Sequence, residues 1–490
     1  MPSKVLIANR GEIAVRIMRT LRELAIPSVI VYHAADADSL AVREADEAVE
    51  LLGDPPVSAY LDIESIVQAC TRTGADAVHP GFGFLAENAD FAQAVTDAAV
   101  TWIGPPPSAM RSMGDKIEAK RLARIAGVPV LPGSEGVLSS TDEALSEAER
   151  IGYPVLLKAS AGGGGKGMRI ARDEAACAEA FERASQEAQA AFGDGRVFVE
   201  RYIDRPRHIE VQVLADGHGN VVYLGERECS IQRRYQKVVE EAPSPFIDEA
   251  TRTEMGERAV DLARAVDYVS AGTVEMVADE AHNFFFLEMN TRLQVEHPVT
   301  ELVTGIDIVA EQLRIAGGEV LGYGQEDIKT TGHAIECRVY AEDADNDFVP
   351  ATGQLHLARF PSGEGVRVDH GVREGQPVTA AFDPMIAKII GYGPTRNQAI
   401  ERTRQALRNT VVLGTITNTA FLERVLAHPE FVSGATHTGF IAEHEKTLKA
   451  APPDIEQEGL LVAAAALASP RHESRATVQE PLASMGQWRP

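Results

Sequence analysis

One stretch, 284–298, constrains the fold more than any other, because an aromatic run passes directly into polar residues that recur at every second position. Side chains alternate between the two faces of a strand, so a strand through this stretch would have a polar and an apolar face. The polar face would carry, after Phe284 and Phe286, five polar groups: Glu288, Asn290, Arg292, Gln294 and Glu296. The core face would carry Phe285, Leu287 and Met289. We interpret the stretch as an active-site strand.

Two kinds of ligand fit this polar face. A carboxylate at Glu288 and an amide oxygen at Asn290 are donors that a hard cation such as Mg²⁺ prefers. The next three polar residues supply a fixed cation, an amide and a second carboxylate. A wet edge strand would explain any one of these residues, but the whole set in strict alternation favours a site. Glu275, in a neighbouring predicted strand, would join the face if the register of pairing allows it.

The length of 490 residues, with 44% hydrophobic and 24% charged residues, predicts a globular chain of roughly three domains. A net charge of −25 argues against a nucleic acid or an anionic membrane as the main partner. Four separated cysteines without a CxxC pair exclude a local zinc signature and fit a reducing compartment. The N-terminus reads as a strand and not as a signal peptide, so we expect a cytoplasmic protein without a membrane span.

The first predicted domain is 1–112, where strand and helix signals alternate from the strand 4–8 onward. This alternation is typical of a doubly wound parallel sheet. The first helix, from Glu12 to about Leu24, carries one stripe of charged residues: Glu12, Arg16, Arg19 and Glu23. The stripe fits either a solvated helix face or a contact between subunits.

The second predicted domain, 113–330, is centred on a loop with four consecutive glycines, 162–165. The free backbone N–H groups of such a loop can wrap phosphate oxygens, and Lys158 and Lys166 bracket it. The loop lacks the residues of a Walker A motif, and a strand follows it instead of the helix of a Rossmann site. We therefore predict a mobile lid, about 130–203, over a bound nucleotide.

The third predicted domain, 331–445, has a mixed α+β pattern and carries Arg338 on an alternating strand. Residues 446–490 read as an alanine-rich helix followed by a polar tail. We interpret this tail as a linker towards absent domains.

The polar groups together indicate an ATP·Mg site that faces a small anion, since phosphoryl transfer depends on cations and positioning. Glu296 is the candidate general base, because Arg292 and His297 flank it in the sequence and the metal does not require it. Arg338 cannot act as a base and is expected to bind or stabilise negative charge.

Six segments occur in the order known from one family: Asn9–Ala14, His79–Asn88, Lys158–Met168, Glu228–Lys237, Glu288–Pro298 and Gly332–Arg338. On these residues the chain resembles the biotin carboxylases, the ATP-grasp component of acyl-CoA and pyruvate carboxylases, over residues 1 to about 445. It is most similar to the biotin carboxylase part of acetyl- and propionyl-CoA carboxylase α chains. The resemblance implies an N-terminal doubly wound parallel sheet, an ATP-grasp domain with a mobile glycine-rich lid, and a C-terminal mixed α+β domain.

The resemblance also implies roles for individual residues. The ATP site would be lined by Lys116, Lys158, Gly164, Gly165, Lys166, Met168, Glu200, Ile203, His208, Gln232, Tyr235 and Gln236. Two Mg²⁺ ions, or Mn²⁺ in their place, would be held by Glu275, Glu288 and Asn290. Bicarbonate and biotin would contact Phe82, Lys237, Arg292, Gln294, Val295, Glu296 and Arg338. The implied catalytic residues within that set are Lys237, Arg292, Glu296 and Arg338.

By the same resemblance, Glu296 would take the proton of bicarbonate as it attacks the γ-phosphoryl group of ATP. The carboxyphosphate would decompose to CO₂ and phosphate, phosphate would take the N1′ proton of biotin, and Arg338 would stabilise the biotin enolate. The implied partners are a biotin carboxyl carrier domain or protein and a carboxyltransferase β subunit, in a homodimer or a larger complex. No Met-Lys pair occurs in the chain, so the carrier lysine is expected elsewhere, beyond the end of this chain or on another subunit.

Two positions depart from the family pattern, and two rival functions remain. Phe82 stands where many members have Tyr, and Tyr235 stands where the stand-alone bacterial enzyme has His. We expect a missing hydroxyl near biotin and a changed contact on the adenine side. The rivals are another bicarbonate-activating ATP-grasp ligase, such as a carbamoyl-phosphate synthetase half, and a non-catalytic nucleotide-binding subunit. The segment around Arg338 argues against the first, and the filled ligand positions argue against the second.

Overall fold

The computed structural model describes residues 1–134, 136–159, 168–192, 195–451 and 459–460. The chain divides into two compact units, Met1–Leu448 and Lys449–Pro490, and the architecture below is that of the first. Within the described ranges, no helix combines the length and the apolar character that crossing a bilayer requires. The predicted glycine loop and most of the predicted tail lie outside the described residues.

The N-terminal region contains β1 Val5–Ile7, α1 Gly11–Glu23, β2 Ser28–His33, α2 Leu40–Glu44, β3 Glu47–Leu51, α3 Pro56–Ala59, α4 Ile63–Thr73, β4 Ala77–His79, α5 Ala89–Asp97, β5 Thr101–Trp102 and α6 Pro107–Gly114. Its strands are parallel, in the order β3-β2-β1-β4-β5. Val5 and Ile7 of β1 pack on the side of α1, whereas Leu6 packs on the opposite side with residues of α4 and α5. The predicted doubly wound sheet is therefore confirmed.

The next region contains α7 Lys116–Ile125, α8 Thr141–Ile151, β6 Val155–Ala159, β7 Met168–Ala171, α9 Glu174–Phe192 and β8 Val197–Arg201. The three strands form an antiparallel sheet in the order β7-β6-β8, and α8 and α9 contribute to its core. Lys158 pairs directly with Met168, so the segment that follows the glycine loop is a strand, as the sequence predicts.

The remaining central elements are β9 Arg207–Ala215, β10 Val221–Arg233, β11 Gln236–Ala242, α10 Glu249–Ala265, β12 Ser270–Ala278, β13 Phe284–Asn290, α11 His297–Thr304 and α12 Ile308–Ala316. The C-terminal elements are β14 His333–Tyr340, β15 Glu342–Asp343, β16 Val349–Pro350, β17 Gly353–Gln354, β18 Leu357–Arg359, β19 Val366–His370, β20 Pro377–Val378, β21 Met385–Gly393, α13 Arg396–Asn409, β22 Val411–Leu413, α14 Thr419–Ala427, α15 Pro429–Val432, α16 Phe440–Glu443 and α17 Glu445–Leu448. One large sheet joins both sets in the order β13-β12-β9-β10-β11-β14-β21-β19. It brings side chains of the central and C-terminal regions onto one surface.

The strand predicted through 284–296 is shorter than expected. β13 ends at Asn290, and the following segment up to Glu296 is an irregular loop that leads into α11. Side chains satisfy backbone groups of this loop in place of a neighbouring strand: Glu87 accepts from the N–H of Thr291 at 3.2 Å, and Lys388 donates to the carbonyl of Val295 at 2.8 Å. The prediction of an alternating strand beyond Asn290 is therefore wrong.

The predicted faces of β13 are also wrong in part. The register between β12 and β13 shifts between Glu288 and Phe286, which leaves Leu287 as the extra residue of a bulge. A bulge reverses the alternation of side chains along a strand. Phe286 is consequently buried in the central core with Met289, whereas Phe285, which the sequence assigned to the core, is only half-buried.

The charged stripe on α1 is neither wholly solvated nor wholly free for a subunit contact. Glu12 and Arg16 are 4% and 3% exposed. Arg16 donates to Glu301 at 2.8 Å and to Asp307 at 3.0 Å, both at helix ends far along the chain. Arg19 is half-buried and reaches buried Asp369. The stripe therefore holds α1 against α11, α12 and β19, a tertiary contact that sequence spacing does not reveal.

Candidate active site

A row of charged side chains crosses four neighbouring strands of the large sheet. Arg227 on β10, Glu210 on β9, Glu275 on β12 and Glu288 on β13 occupy successive paired positions and share one face. Arg227 donates to Glu210 at 2.5 Å, and both side chains are fully buried. Sequence reasoning missed Arg227 and Glu210, although Glu210 is a charged residue within the otherwise apolar or amide-bearing run 209–213.

Lys237, on β11, is the centre of the site. Its ammonium nitrogen lies 2.5 Å from Glu210, 2.7 Å from Glu275 and 2.6 Å from Glu296. Burial alone would lower the pKa of Lys237, but the three carboxylates together raise it well above its ordinary value. The three carboxylates therefore favour the protonated, cationic form of the lysine.

Glu296 ends the loop after β13 and is 2% exposed. One carboxylate oxygen accepts from Lys237, and the other accepts from Arg338 on β14 at 2.9 Å. Burial would raise the pKa of Glu296, but the charges of Lys237, Arg338 and Arg227 lower it below its usual range. Glu296 is thus held as a carboxylate, the form in which a side chain can accept a proton.

The flanking cations of Glu296 differ from those that the sequence suggested. His297 is buried, and its Nδ1 lies 2.7 Å from the carbonyl oxygen of Gln294. Burial, then the nearby positive charges, hold the pKa of His297 well below its ordinary value, so this ring is neutral. Arg292 donates to Asn290 at 2.8 Å and pairs with Glu87 at 3.0 Å. Neighbours across the sheet, and not neighbours in sequence, therefore supply the positive charge around Glu296.

The predicted metal ligands lie together at the end of the charged row. Glu275 and Glu288 are directly opposed on β12 and β13, and Asn290 donates to Glu275 at 2.9 Å. Burial, followed by the charges of Glu275 and Glu87, raises the pKa of Glu288. A divalent cation would relieve this repulsion between carboxylates, and oxygen donors of this kind suit Mg²⁺. The residues present therefore fit a magnesium ion.

A second possible donor set shares Glu275. Ligand atoms of His208, Glu210 and Glu275 lie within 4.8 Å of one another. Glu210 is already paired with the cations Arg227 and Lys237, and these neutralise the negative charge that would otherwise attract a metal ion. The Glu288 side of Glu275 is consequently the better position for a divalent cation.

The side of the site towards the predicted lid contains a lysine pair on one carboxylate. Glu200, on β8, accepts from Lys158 at 2.5 Å and also from Lys120. Burial would raise the pKa of Glu200, but the two lysines lower it. Sequence reasoning missed Lys120, although its spacing of four from Lys116 on α7 places both on one helix face. Lys116 lines a cavity of about 200 Å³ with Glu288 and Asn290.

The other predicted nucleotide ligands fall into three groups. His208 contacts Glu275 of the charged row at 3.0 Å through Nε2 and Gln232 at 3.0 Å through Nδ1. His208 and Gln232 therefore both lie next to the charged row. Tyr235 is 67% exposed in the turn between β10 and β11. Met168, the first residue of β7, and Ile203, shortly after β8, are half-buried. Gln236 donates to the Tyr340 hydroxyl at 3.1 Å. Gly164, Gly165 and Lys166 lie outside the described residues.

Phe82 lies in the loop after β4, where the strand order of the N-terminal sheet reverses. Asn9, from the equivalent loop after β1, donates to the carbonyl of Phe82 at 2.7 Å and fixes the loop. The ring centre of Phe82 lies 5.9 Å from the ammonium of Lys388, which also donates to the Val295 carbonyl. Phe82 therefore approaches the same loop that carries Gln294 and Glu296.

Models of known families match three ranges of the chain. Residues 1–110 match the N-terminal domain of biotin carboxylase, residues 115–323 the ATP-binding domain of the carbamoyl-phosphate synthase L chain, and residues 336–443 the C-terminal domain of biotin carboxylase. Arg338 lies in the third range, outside the residues that match the carbamoyl-phosphate synthase model. The predicted site residues all fall within the three ranges.

Curated proteins and solved structures give the same relationship over most of the chain. The biotin carboxylase of Halalkalibacterium halodurans is 51% identical over 447 residues, which cover 91% of this chain and 98% of that protein. The propionyl-CoA carboxylase alpha chain of Ruegeria pomeroyi is 52% identical over 464 residues, covering 90% of this chain and 68% of that protein. The biotin carboxylase domain dimer of Hydrogenobacter thermophilus 2-oxoglutarate carboxylase, solved with MgADP, ADP and bicarbonate, has a TM-score of 0.86 and 46% identity, covering 92% of this chain and all of that one.

Proposed function

The chain belongs to the biotin carboxylase family, and we propose that its charged row and the loop 291–296 together bind ATP, Mg²⁺ and bicarbonate and carboxylate N1′ of carrier-linked biotin. The activity is that of a biotin carboxylase, an ATP-dependent ligase, since the biotin carboxylase of Halalkalibacterium halodurans is 51% identical over 91% of the chain. The assignment of individual residues to steps of this reaction is our proposal.

One observation carries the assignment: a single buried carboxylate, Glu296, is held ionised between Lys237 and Arg338. Phosphoryl transfer to bicarbonate requires a base for the bicarbonate proton and cations for the developing negative charge. The site supplies both within hydrogen-bond distance. Bicarbonate, as an anion, would insert among Lys237, Arg292 and the amide of Gln294, and would draw Lys237 partly away from Glu296.

Glu296 would then accept the bicarbonate proton while the bicarbonate oxygen attacks the γ-phosphoryl group of ATP. The loss of part of the Lys237 charge raises the basicity of Glu296 at the moment when it must accept the proton. The products are ADP and carboxyphosphate, which decomposes to CO₂ and phosphate. Lys237 and Arg292 would stabilise the negative charge of both species.

The nucleotide would lie between the charged row and the predicted lid, with Lys116 and Lys158 on its phosphates. Glu275, Glu288 and Asn290 would hold Mg²⁺. We propose that Mn²⁺ could take its place. When bound, the metal neutralises phosphate charge and orients the γ-phosphoryl group. The Asn290 amide oxygen already accepts from Arg292, and its second lone pair could serve as a metal ligand, so this residue would link the metal to the guanidinium proposed to bind bicarbonate.

Biotin would approach from the side of Phe82 and Arg338. Phosphate takes the N1′ proton, the new N–C bond forms with CO₂, and the guanidinium of Arg338 stabilises the enolate oxygen of the biotin ring. Arg338 is pre-oriented for this role, because its Nε donates to buried Glu240 at 2.6 Å. Phe82 offers biotin an apolar ring without a hydroxyl group.

The wider setting of this activity is also a proposal. We propose that the biotin is presented by a carrier domain or carrier protein, that the carboxyl group passes to a carboxyltransferase β subunit, and that this chain forms homodimers. The proposed domain bounds are 1–112, 113–330 with a lid at about 130–203, and 331–445, followed by a tail at 446–490. We also propose a cytoplasmic location, since the four cysteines are free thiols.

Free biotin provides the direct test. We expect ATP hydrolysis that depends on bicarbonate and is stimulated by free biotin, with carboxybiotin as the labelled product of ¹⁴C-bicarbonate. Turnover with ammonia or glutamine and no response to biotin would contradict the proposal and favour a carbamoyl-phosphate synthetase-like reaction. ATP binding without any bicarbonate-dependent hydrolysis would favour a non-catalytic subunit.

A further inference from the structure

Two neighbouring cations hold two consecutive residues of the loop 291–296. Lys388 on β21 pairs directly with Arg338 on β14, so the two side chains leave the sheet side by side. Arg338 donates to the carboxylate of Glu296 at 2.9 Å, and Lys388 donates to the backbone carbonyl of Val295 at 2.8 Å. Strands β14 and β21 thus hold the loop by two hydrogen bonds, one to the Glu296 side chain and one to the Val295 peptide group.

Lys388 is 0% exposed, and a buried ammonium is costly unless it is paired and hydrogen-bonded. Its ionic partner is Glu12 at the start of α1, at 3.3 Å. Neither carboxylate oxygen of Glu12 has a hydrogen-bond partner among the described residues. Glu336, two positions before Arg338, is also buried without partners in the described part of the chain, and burial raises its pKa well above the ordinary value. Asp369, the direct neighbour of Lys388 on β19, is also buried, and Lys388 helps to lower its pKa. The hydrogen bond of Lys388 at 2.8 Å goes to the loop.

We propose that Lys388 is a positioning residue that fixes the Val295 carbonyl and so holds the loop in its bicarbonate-binding shape. The inference rests on the proposed role of this loop in bicarbonate binding. The loop follows the last paired residue of β13, so it has no strand ladder to define its peptide planes. A carbonyl oxygen that turned towards the bound anion would repel it, and Lys388 keeps the Val295 oxygen directed at β21.

The test compares Lys388→Met with a double variant that carries Lys388→Met and Glu12→Gln. The single variant leaves Glu12 buried without its cation, whereas the double variant removes that unpaired charge. The measurements are the KM for bicarbonate, the KM for ATP and the thermal midpoint of the full chain. We expect the KM for bicarbonate to rise about 10-fold in both variants, because a hydrogen bond from a charged donor is lost in each. The KM for ATP should stay within about 2-fold of wild type, since the contacts of the Lys388 ammonium within the described part of the chain are to Val295, Glu12 and Phe82.

Arg396→Met is the matched control. Arg396 also joins a buried carboxylate, Glu241, to backbone carbonyls, those of Phe431 and Val432, but far from the loop. We expect this control to lower the thermal midpoint without changing the KM for bicarbonate.

Each result decides the matter. A raised KM for bicarbonate in the double variant, together with recovered thermal stability, supports the proposal. The proposal is overturned if the double variant returns to the wild-type KM, if both KM values rise together, or if the KM for bicarbonate does not change. Should Lys388→Met fail to fold, the double variant alone decides by the same measurement. A wild-type chain without bicarbonate-dependent hydrolysis would instead overturn the proposed function.

Discussion

The ammonium of Lys237 lies 2.6 Å from the carboxylate of Glu296, so the candidate proton acceptor and a candidate ligand of the anion are bound to each other. In this arrangement Glu296 is ionised but a weak base, because Lys237 and Arg338 hold its pKa low. Bicarbonate competes for the same lysine. The arrival of the anion would therefore strengthen the base that deprotonates it, which links binding of the substrate to the first proton transfer.

Replacement of Glu296 by Gln removes the proton acceptor and keeps the size of the side chain, although one of the two oxygens that accept from Lys237 and Arg338 becomes an amide donor. We expect Glu296→Gln to lower bicarbonate-dependent ATP hydrolysis by about 10² to 10⁴-fold, the usual contribution of a general base. The affinity for ATP should not change, and equilibrium binding of a fluorescent ATP analogue checks this. Glu301→Gln is the control, since Glu301 is a buried carboxylate paired with Arg16 and Arg367 outside the site. Turnover of Glu296→Gln equal to wild type would remove Glu296 as the base.

The raised pKa of Glu288 predicts a pH-dependent requirement for Mg²⁺. Protons and the metal compete for the carboxylate, so a fall in pH protonates Glu288 earlier than an ordinary carboxyl group and weakens metal binding. The concentration of Mg²⁺ that gives half-maximal ATP hydrolysis should thus rise as the pH falls. Glu275, whose pKa is lowered well below its ordinary value by Lys237 and His208 despite its burial, stays ionised to lower pH than Glu288.

Glu288→Gln should raise the Mg²⁺ requirement at least about 10-fold and flatten its pH dependence. Glu280→Gln is the matched control, because Glu280 is an exposed carboxylate in the turn between the same two strands. A wild-type pH dependence in Glu288→Gln would show that another group controls metal binding. Removal of Mg²⁺ by a chelator should abolish hydrolysis in wild type and in the control.

Arg338 contacts both Glu296 and Glu240, and its proposed role belongs to the biotin step. We expect Arg338→Gln to lower the carboxylation of free biotin about 10² to 10³-fold, as for loss of a donor to a developing oxyanion. ATP hydrolysis without biotin should fall much less, so more ATP is consumed for each carboxybiotin formed. The ratio of phosphate released to ¹⁴C fixed measures this uncoupling. Arg338→Lys keeps the positive charge but loses the planar guanidinium, so its carboxylation of free biotin should lie between that of wild type and that of Arg338→Gln. An equal loss of both activities would argue against a specific role in the biotin step.

Much of the fold follows from local patterns that the sequence displays directly. The alternation of strands and helices before residue 112 predicts the doubly wound sheet, and the glycine loop with strands on both sides predicts the β6–β7 hairpin. The polar residues after Phe286 predict that a site exists there. Each of these features depends on residues that are close together in the chain, so the sequence alone is enough to predict it.

The partners of the charged groups do not follow from sequence, because they depend on register and on contacts across the sheet. Glu275 faces Glu288 only because β12 and β13 pair in one particular register. Lys237, on β11, contacts Glu296, which lies at the end of the loop after β13. Spacing in the chain instead suggested Arg292 and His297 as neighbours of Glu296. The bulge at Leu287 does not follow from the sequence either, and this one extra residue reverses the faces predicted for the residues that precede it.

The bulge itself gives a test that separates the structure from the simple alternating strand. Phe286 is 1% exposed in the central core, whereas Phe285 is half-buried. We expect Phe286→Ala to destabilise the protein by about 3 to 5 kcal/mol, the range for loss of a buried phenylalanine, and Phe285→Ala by about 1 kcal/mol. Thermal unfolding of the two variants in parallel, without nucleotide, measures the difference. Under strict alternation the order would be reversed, because Phe285 would then lie in the core. A larger effect of Phe285→Ala would therefore contradict the bulge, and with it the alignment that places Glu288 opposite Glu275.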